Sequence, residues 1–283
     1  MSNESILGGL DPEVLDVMAS RRDALRGAGR WGMGLAMASV PLALASMAKS
    51  AFAQGTPQAV VDVLNFALTL EELEAEFYVM GMNAAGLIPA ADRQIFGTIR
   101  DHEVAHVQFL RNALGAAAVA KPTFDFTAGG MFTPFSNYDQ FKALAQAFED
   151  TGVRAYKGQA PILLQSKAIL RAALTIHSVE ARHASEVRRL RGNFTDQEPQ
   201  QGWITLNLRG TDMPAATQPV YDGEENVTQA GVNISTLPGA GTGTTIGANQ
   251  ASESFDEPLT RAQVLMIVDP FIAGDVDGDG TEG

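Results

Sequence analysis

Glu103 and His106, and again Glu180 and His183, form two Glu-x-x-His pairs. Residues three apart lie on one face of an α-helix, so each pair can offer a carboxylate and an imidazole to one metal ion. A lone glutamate precedes each pair at nearly the same distance, Glu71 by 32 residues and Glu149 by 31. Each of these glutamates is followed seven residues later by a tyrosine, Tyr78 and Tyr156. Four glutamates and two histidines from four helices are the donor set that holds two iron or manganese ions in a carboxylate-bridged bundle. Glu103 and Glu180 are expected to bridge the metals, Glu71 and Glu149 to be terminal ligands, and His106 and His183 each to complete one ion. Tyr78 and Tyr156 are the candidate catalytic residues, bonding a group near the metals or donating an electron. The plainer reading makes them core aromatics with a satisfied hydroxyl.

The spacing also dictates the elements. Two antiparallel helices joined near the middle of such an interval bring its ends to one height, each arm being about 16 residues or roughly 24 Å. For Glu71 and Glu103 the turn falls at Gly86-Leu87, followed by Pro89. For Glu149 and Glu180 it falls at Gln165, before the candidate cap Ser166. Helix 1 is expected from Pro57, with Thr56 as cap, and helix 2 over 90–114. Helix 3 is expected over 138–164, with a kink or break after Tyr156 from Gly152, Gly158 and Pro161, and helix 4 from Ser166 or Lys167 to Leu190. Helix 1 carries four glutamates. Glu71 is preferred as ligand, Glu74 lies about 60° away and is the runner-up, and Glu72 and Glu76 are expected to be solvated. In helix 3 Asp150 lacks the matching spacing. His102 and His177 are candidate extra ligands or outer partners, against a default of half-exposed helix histidines.

Composition agrees with this choice of chemistry. The chain has 283 residues, 45% of them hydrophobic, and no cysteine, so metals would sit on carboxylate and imidazole. A formal net charge of -13 without a basic stripe argues against a nucleic-acid partner.

Residues 1–53 read as a targeting segment. Arg21-Arg22 precede an apolar run over 31–48, and Ala51-Phe52-Ala53 supplies a small-x-small cleavage signature before Gln54. The twin arginine resembles a twin-arginine export signal, with Ala24 where the common pattern has Phe, which implies a periplasmic or extracellular protein. The apolar run is marginal for a membrane span, so no stable span is expected after cleavage. Residues 54–192 form the bundle. A crossover over 118–137 carries Phe124, Phe126, Phe132 and Phe135, expected to lie against it. Residues 193–252 are rich in Gly, Thr and Asn and read as surface extension or disorder, with short strands near Trp203-Leu206. Residues 253–283 hold a short helix capped by Thr260 that docks back on the bundle, then an acidic tail. Asp275, Asp277 and Asp279 copy the opening of a calcium loop without its closing glutamate.

With these residues in hand, the chain resembles the ferritin-like superfamily of di-iron carboxylate proteins. Within it, the chain looks most like bacterial ferritin-like domain proteins related to plant desiccation-related proteins. The stretches that carry the likeness are Leu64 to Tyr78, Arg100 to His106, Phe148 to Gly158 and Val179 to Ala184, with Phe255 to Thr260 and Pro270 to Ile272 more loosely. Glu72 stands where the resemblance implies an aromatic. The fold implied is an all-α four-helix bundle with one long crossover and a mostly irregular C-terminal extension. The cofactors implied are two iron ions, with manganese as the alternative, and the partners are O2 or peroxide. The function implied is Fe(II) oxidation or peroxide or O2 reduction under oxidative or desiccation stress. The competing class is a non-catalytic stress-protective bundle stabilised by its metal. The long extension argues against a closed storage cage and leaves a homodimer as the assembly to consider.

Overall fold

In the computed structural model the described residues are 56–192, 201–241 and 243–273, with the backbone of 276–277 and 281–282. The segment read as an export signal, residues 193–200 and most of the calcium-like loop lie outside them.

Helices α1 (Gln58–Asn83) and α2 (Arg93–Leu114) form one antiparallel hairpin. Helices α3 (Tyr138–Leu163) and α4 (Lys167–Arg191) form the second. The hairpins pack on each other chiefly through α1 and α3. Gly86 makes the first turn at φ +75°, a conformation in which a Cβ would be strained. Asn137 caps α3, its side chain accepting from the Gln140 amide at 3.1 Å. The first helix is capped by Pro57, one residue beyond the expected Thr56. Both hairpins bury an apolar stripe. One core layer, with Val60, Leu68, Leu110, Leu163 and Ile169, fills the end near the α3–α4 turn. The other is aromatic and fills the opposite end, where Phe77 stacks on Phe141 at 4.8 Å and meets Phe148 edge-on at 5.1 Å. Between the two layers lies a band of buried carboxylates and histidines.

Helix α3 is continuous from Tyr138 to Leu163, so the break expected after Tyr156 does not occur. Its glycines serve close approach. A Cβ on Gly158 would lie 1.9 Å from the carbonyl oxygen of Leu259, and one on Gly152 would lie 3.1 Å from Glu180 Oε2 and 3.3 Å from Glu74 Oε1. Pro161 falls in the last turn, where little helix remains beyond it to bend.

The crossover holds β1 (Thr123–Phe124), which pairs antiparallel with β4 (Ile272–Ala273) of the C-terminal segment. Phe126 and Phe132 are buried, and Phe124 and Phe135 pack on the same core. The C-terminal region is irregular, as expected, and is seated on α3. It contains the hairpin β2 (Thr228–Gln229) and β3 (Val232–Asn233) and the short helices α5 (Ala248–Glu253) and α6 (Arg261–Val268). No strand forms at Trp203-Leu206, where the chain makes turns. Thr260 caps α6 in a capping box with Gln263. The clamp is Arg154, which is buried on α3. Its Nε donates to the carbonyl of Glu257 at 2.8 Å and lies 2.7 Å from Glu224 Oε1, and its Nη2 donates to the carbonyl of Asp222 at 3.0 Å. The Leu259 amide donates to the Arg154 carbonyl at 3.1 Å, beside Gly158. Among the described residues no helix is long and apolar enough to cross a membrane.

Gly158→Ala therefore forces the Leu259 strap off α3, and urea unfolding should show a loss of about 1–3 kcal/mol. Gly97→Ala is the matched control. Its Cβ would meet only Met82 Cε, at 3.5 Å, and it should be neutral or gain up to about 1 kcal/mol from helix propensity. Equal effects at the two sites would refute the close-approach reading.

Candidate metal centre

Each helix supplies its part of the centre through local spacing. Helix α1 brings Glu71 and Glu74, α2 brings Glu103 and His106, α3 brings Glu149, and α4 brings Glu180 and His183. The i,i+3 offset keeps each pair on its inward stripe. Two groups of candidate ligand atoms result, each with its atoms within 4.8 Å of one another. One contains Glu71, Glu103, His106 and Glu180, and the other Glu103, Glu149, Glu180 and His183. All six residues singled out by spacing come together, and Glu103 and Glu180 are shared by both groups. His106 Nδ1 lies 3.0 Å from Glu71 Oε2, 3.1 Å from Glu103 Oε2 and 3.3 Å from Glu180 Oε1. His183 Nδ1 lies 2.8 Å from Glu103 Oε1 and 3.2 Å from Glu149 Oε2.

These residues fit a pair of metal ions on one physical ground. Glu71, Glu103, Glu149 and Glu180 have 0% exposure, and burying a carboxylate without a partner is costly. Yet Glu103 Oε1, Glu149 Oε2, both oxygens of Glu180 and His183 Nδ1 have no aligned hydrogen-bond partner. The contacts between His183 Nδ1 and the two glutamates are thus approaches without hydrogen-bond geometry. Five of the eight such buried atoms among the described residues converge on this one place.

The tyrosines are crossed between the halves. Tyr78 on α1 donates to Glu149 Oε1 on α3 at 2.6 Å, and Tyr156 on α3 donates to Glu71 Oε1 on α1. Each therefore holds one oxygen of a glutamate and leaves the other facing a histidine. The expectation that Glu72 is solvated is corrected. Glu72 is buried and paired with Arg111, a partner on α2 that the helix 1 sequence cannot show. Glu76 is partly exposed beside Lys121. Glu74 is buried against the centre and is a fifth carboxylate there. Its signal was the i,i+3 spacing from Glu71, the same offset as in the two Glu-x-x-His pairs. His102 Nδ1 lies 2.9 Å from His183 Nε2, with the rings stacked, so it backs a candidate ligand from outside. His177 and Asp150 are in neither group. Asp150 pairs with Arg188 at 2.5 Å.

Electrostatics follow from burial. Glu71 is pushed up to about 7 by burial, against the pull of His106. Burial and then the neighbouring carboxylates raise Glu74 and Glu180 well above the usual range, and burial raises Glu149 against His183. Glu103 is the exception: burial would raise it, but the two imidazoles facing it, His106 within hydrogen-bond reach and His183 close by, hold it below the ordinary value. Burial opposes charge on the histidines, but facing carboxylates outweigh it. Glu71 comes first at His106, and Glu149 at His183, which is raised to about 11. Without metal the centre therefore holds protons that the unfolded chain releases.

The sign of the pH dependence is fixed by these shifts. From about pH 4.5 to 7 the folded chain keeps the Glu71 proton, and above about 6.5 it keeps that of His183. Stability of chelator-treated protein should fall as pH rises from about 5 to 8. Metal binding, which displaces those protons, should tighten over the same range. Melting curves of the chelated and Mn(II)-loaded protein at several pH values test both. A chelated protein that gains stability with pH would refute this charge assignment.

No curated protein matches the chain. A family model described as a ferritin-like domain matches residues 59–193, which span all four helices and every residue of both groups. Over residues 59–193 the chain is thus similar to a ferritin-like domain, and its buried Glu/His clusters lie within that stretch.

Proposed function

We propose that this protein is a di-iron, or manganese–iron, carboxylate protein that oxidises Fe(II) or reduces peroxide or O2 in oxidative or desiccation stress. The observation that carries the reading is the convergence of unpartnered buried donors in two groups sharing Glu103 and Glu180. Glu71, Glu103, His106 and Glu180 would hold one ion, and Glu103, Glu149, Glu180 and His183 the other. Such a pair supplies adjacent redox-active Lewis acids. The Arg21-Arg22 motif supports action outside the cytoplasm.

The chain's own groups would divide the remaining work. Tyr78 and Tyr156 orient Glu149 and Glu71 by occupying one oxygen of each. Their phenolic protons are held firmly, because burial and then the accepting glutamates raise both hydroxyls well above the ordinary range. Phe77, Phe96 and Phe141 surround Tyr78 and exclude water from that end. His102 positions His183: with Nδ1 turned to the centre, the proton on Nε2 is donated to His102 Nδ1, which fixes tautomer and ring angle. The complete burial of the four carboxylates favours a second reading, a closed metal site that serves the fold.

Anaerobic titration with Fe(II), followed by O2 or H2O2, separates the two. Two irons per chain and repeated turnover are expected, with both lost in Glu103→Ala and Glu180→Ala. Binding with a large rise in melting temperature and no oxidation would establish the closed structural site. Absence of binding would overturn both. In the same titration His102→Phe should weaken one of the two sites about 10–100-fold and leave the other unchanged, while His102→Asn, which keeps an acceptor, should retain most of the affinity. Equal weakening of both sites would refute the positioning role.

A further inference from the structure

The described part of the molecule has a cleft away from the Glu/His clusters. It measures about 280 Å³ and opens between the outer face of the α3–α4 hairpin and the C-terminal region. Apolar side chains including Val153, Ala184 and Ile204 line it, and Trp203 and Phe255 present partly exposed rings to it. Its size suits a small organic molecule.

Charge selects the class. Arg188 is the one cationic side chain in the lining, and it is fully engaged. Its Nε and Nη2 donate to Asp150 at 3.1 and 2.5 Å, its Nη1 donates to the Trp203 carbonyl at 3.4 Å, and it lies over the Tyr221 ring. Asp150 is answered by Arg188 and by the Tyr221 hydroxyl at 2.9 Å. Glu253 accepts from the Thr205 hydroxyl at 2.7 Å. Asp256 is different, because among the described residues its carboxylate takes no hydrogen bond or ion pair. The ammonium of nearby Lys157 is spent on the main-chain carbonyl of Asp256. Burial, and then the charge of Asp150, raise the Asp256 carboxyl above its usual range, against the pull of Lys157, His177 and Arg188. Among the described lining residues no cationic side chain is left free for an anion.

We infer that this cleft is a binding site for a small organic cation, an amine with an apolar or aromatic body, whose charged head meets Asp256 while its body lies against Trp203 and Phe255. The aromatic faces favour a weakly hydrated organic cation over a hydrated metal ion. The inference is independent of the metal chemistry, and its test does not require metal loading.

Trp31 and Trp203 are the two tryptophans of the chain, so in a full-length Trp31→Phe background Trp203 emission reports on the cleft alone. Three probes of one shape and different charge are titrated: benzylamine, benzyl alcohol and benzoate. Saturable change with benzylamine, at least tenfold tighter than with benzyl alcohol and absent with benzoate, is expected. Asp256→Asn should weaken benzylamine at least tenfold with an unchanged melting temperature. Three equal probes, no saturable change with benzylamine, or Mg(II) reproducing its effect would each overturn the proposal. The comparison of probes in the Trp31→Phe protein decides the matter even if Asp256→Asn fails to fold.

Discussion

Five carboxylates at the centre of the bundle, four of them with 0% exposure, are the constraint the rest of the structure answers. Ionised side chains in a low-dielectric interior are tolerated only with counter-charge, protons or metal. The bundle meets that requirement by layering. Apolar side chains close one end, aromatic ones close the other, and in the polar band between them His102 lies behind His183. Helix geometry does the aiming, since the three-residue offset within α2 and α4 turns both members of each pair inward. The tyrosines then tie the halves together, because each holds the glutamate of the other hairpin. Loss of either hydroxyl would free an oxygen that α1 or α3 alone cannot satisfy.

What could be read in the sequence was whatever local spacing fixes. Glu71, Glu103, His106, Glu149, Glu180 and His183 were legible because hairpin length and helical period place them without reference to distant chain. The four-helix core followed for the same reason. Two of the misreadings involve a partner far away in sequence. Glu72 looked solvated because Arg111 lies on another helix. The Tyr78 and Tyr156 spacing put each hydroxyl near the metal ligands but could not show that each crosses to the opposite hairpin. Gly158 looked like a helix breaker because the missing Cβ is visible in sequence and the Leu259 carbonyl that needs the space is not.

The C-terminal region shows the limit of composition as a guide. Its Gly, Thr and Asn content gives little regular structure, and the described part has only short helices and two-residue strands. Low secondary structure did not mean a loose segment. Arg154 gathers the carbonyls of Val220, Asp222 and Glu257 and the carboxylate of Glu224, which fixes several separate loops on α3 at one buried point. A charged group buried in this way is stabilising only when its donors are satisfied, and here main-chain acceptors do most of that work. The same region also builds one wall of the cleft at Asp256, so the strap both covers α3 and shapes a second surface.

The repeated pattern of the two halves is broken at informative places. The partner of Glu74 in the second half, three residues after Glu149, is Gly152. Its missing side chain is what gives Glu74 and Glu180 room, since a Cβ there would meet both carboxylates within 3.3 Å. The partner of His102, one residue before Glu180, is Val179, so no equivalent imidazole precedes the second pair. The two groups of donors therefore share Glu103 and Glu180 but differ in surroundings. The group with His183 has an imidazole behind it, and Glu74 enters the band from the first helix with no counterpart facing it. A symmetric backbone with an asymmetric set of neighbours gives the two groups of donors different surroundings, which a simple duplication of the Glu-x-x-His hairpin would not.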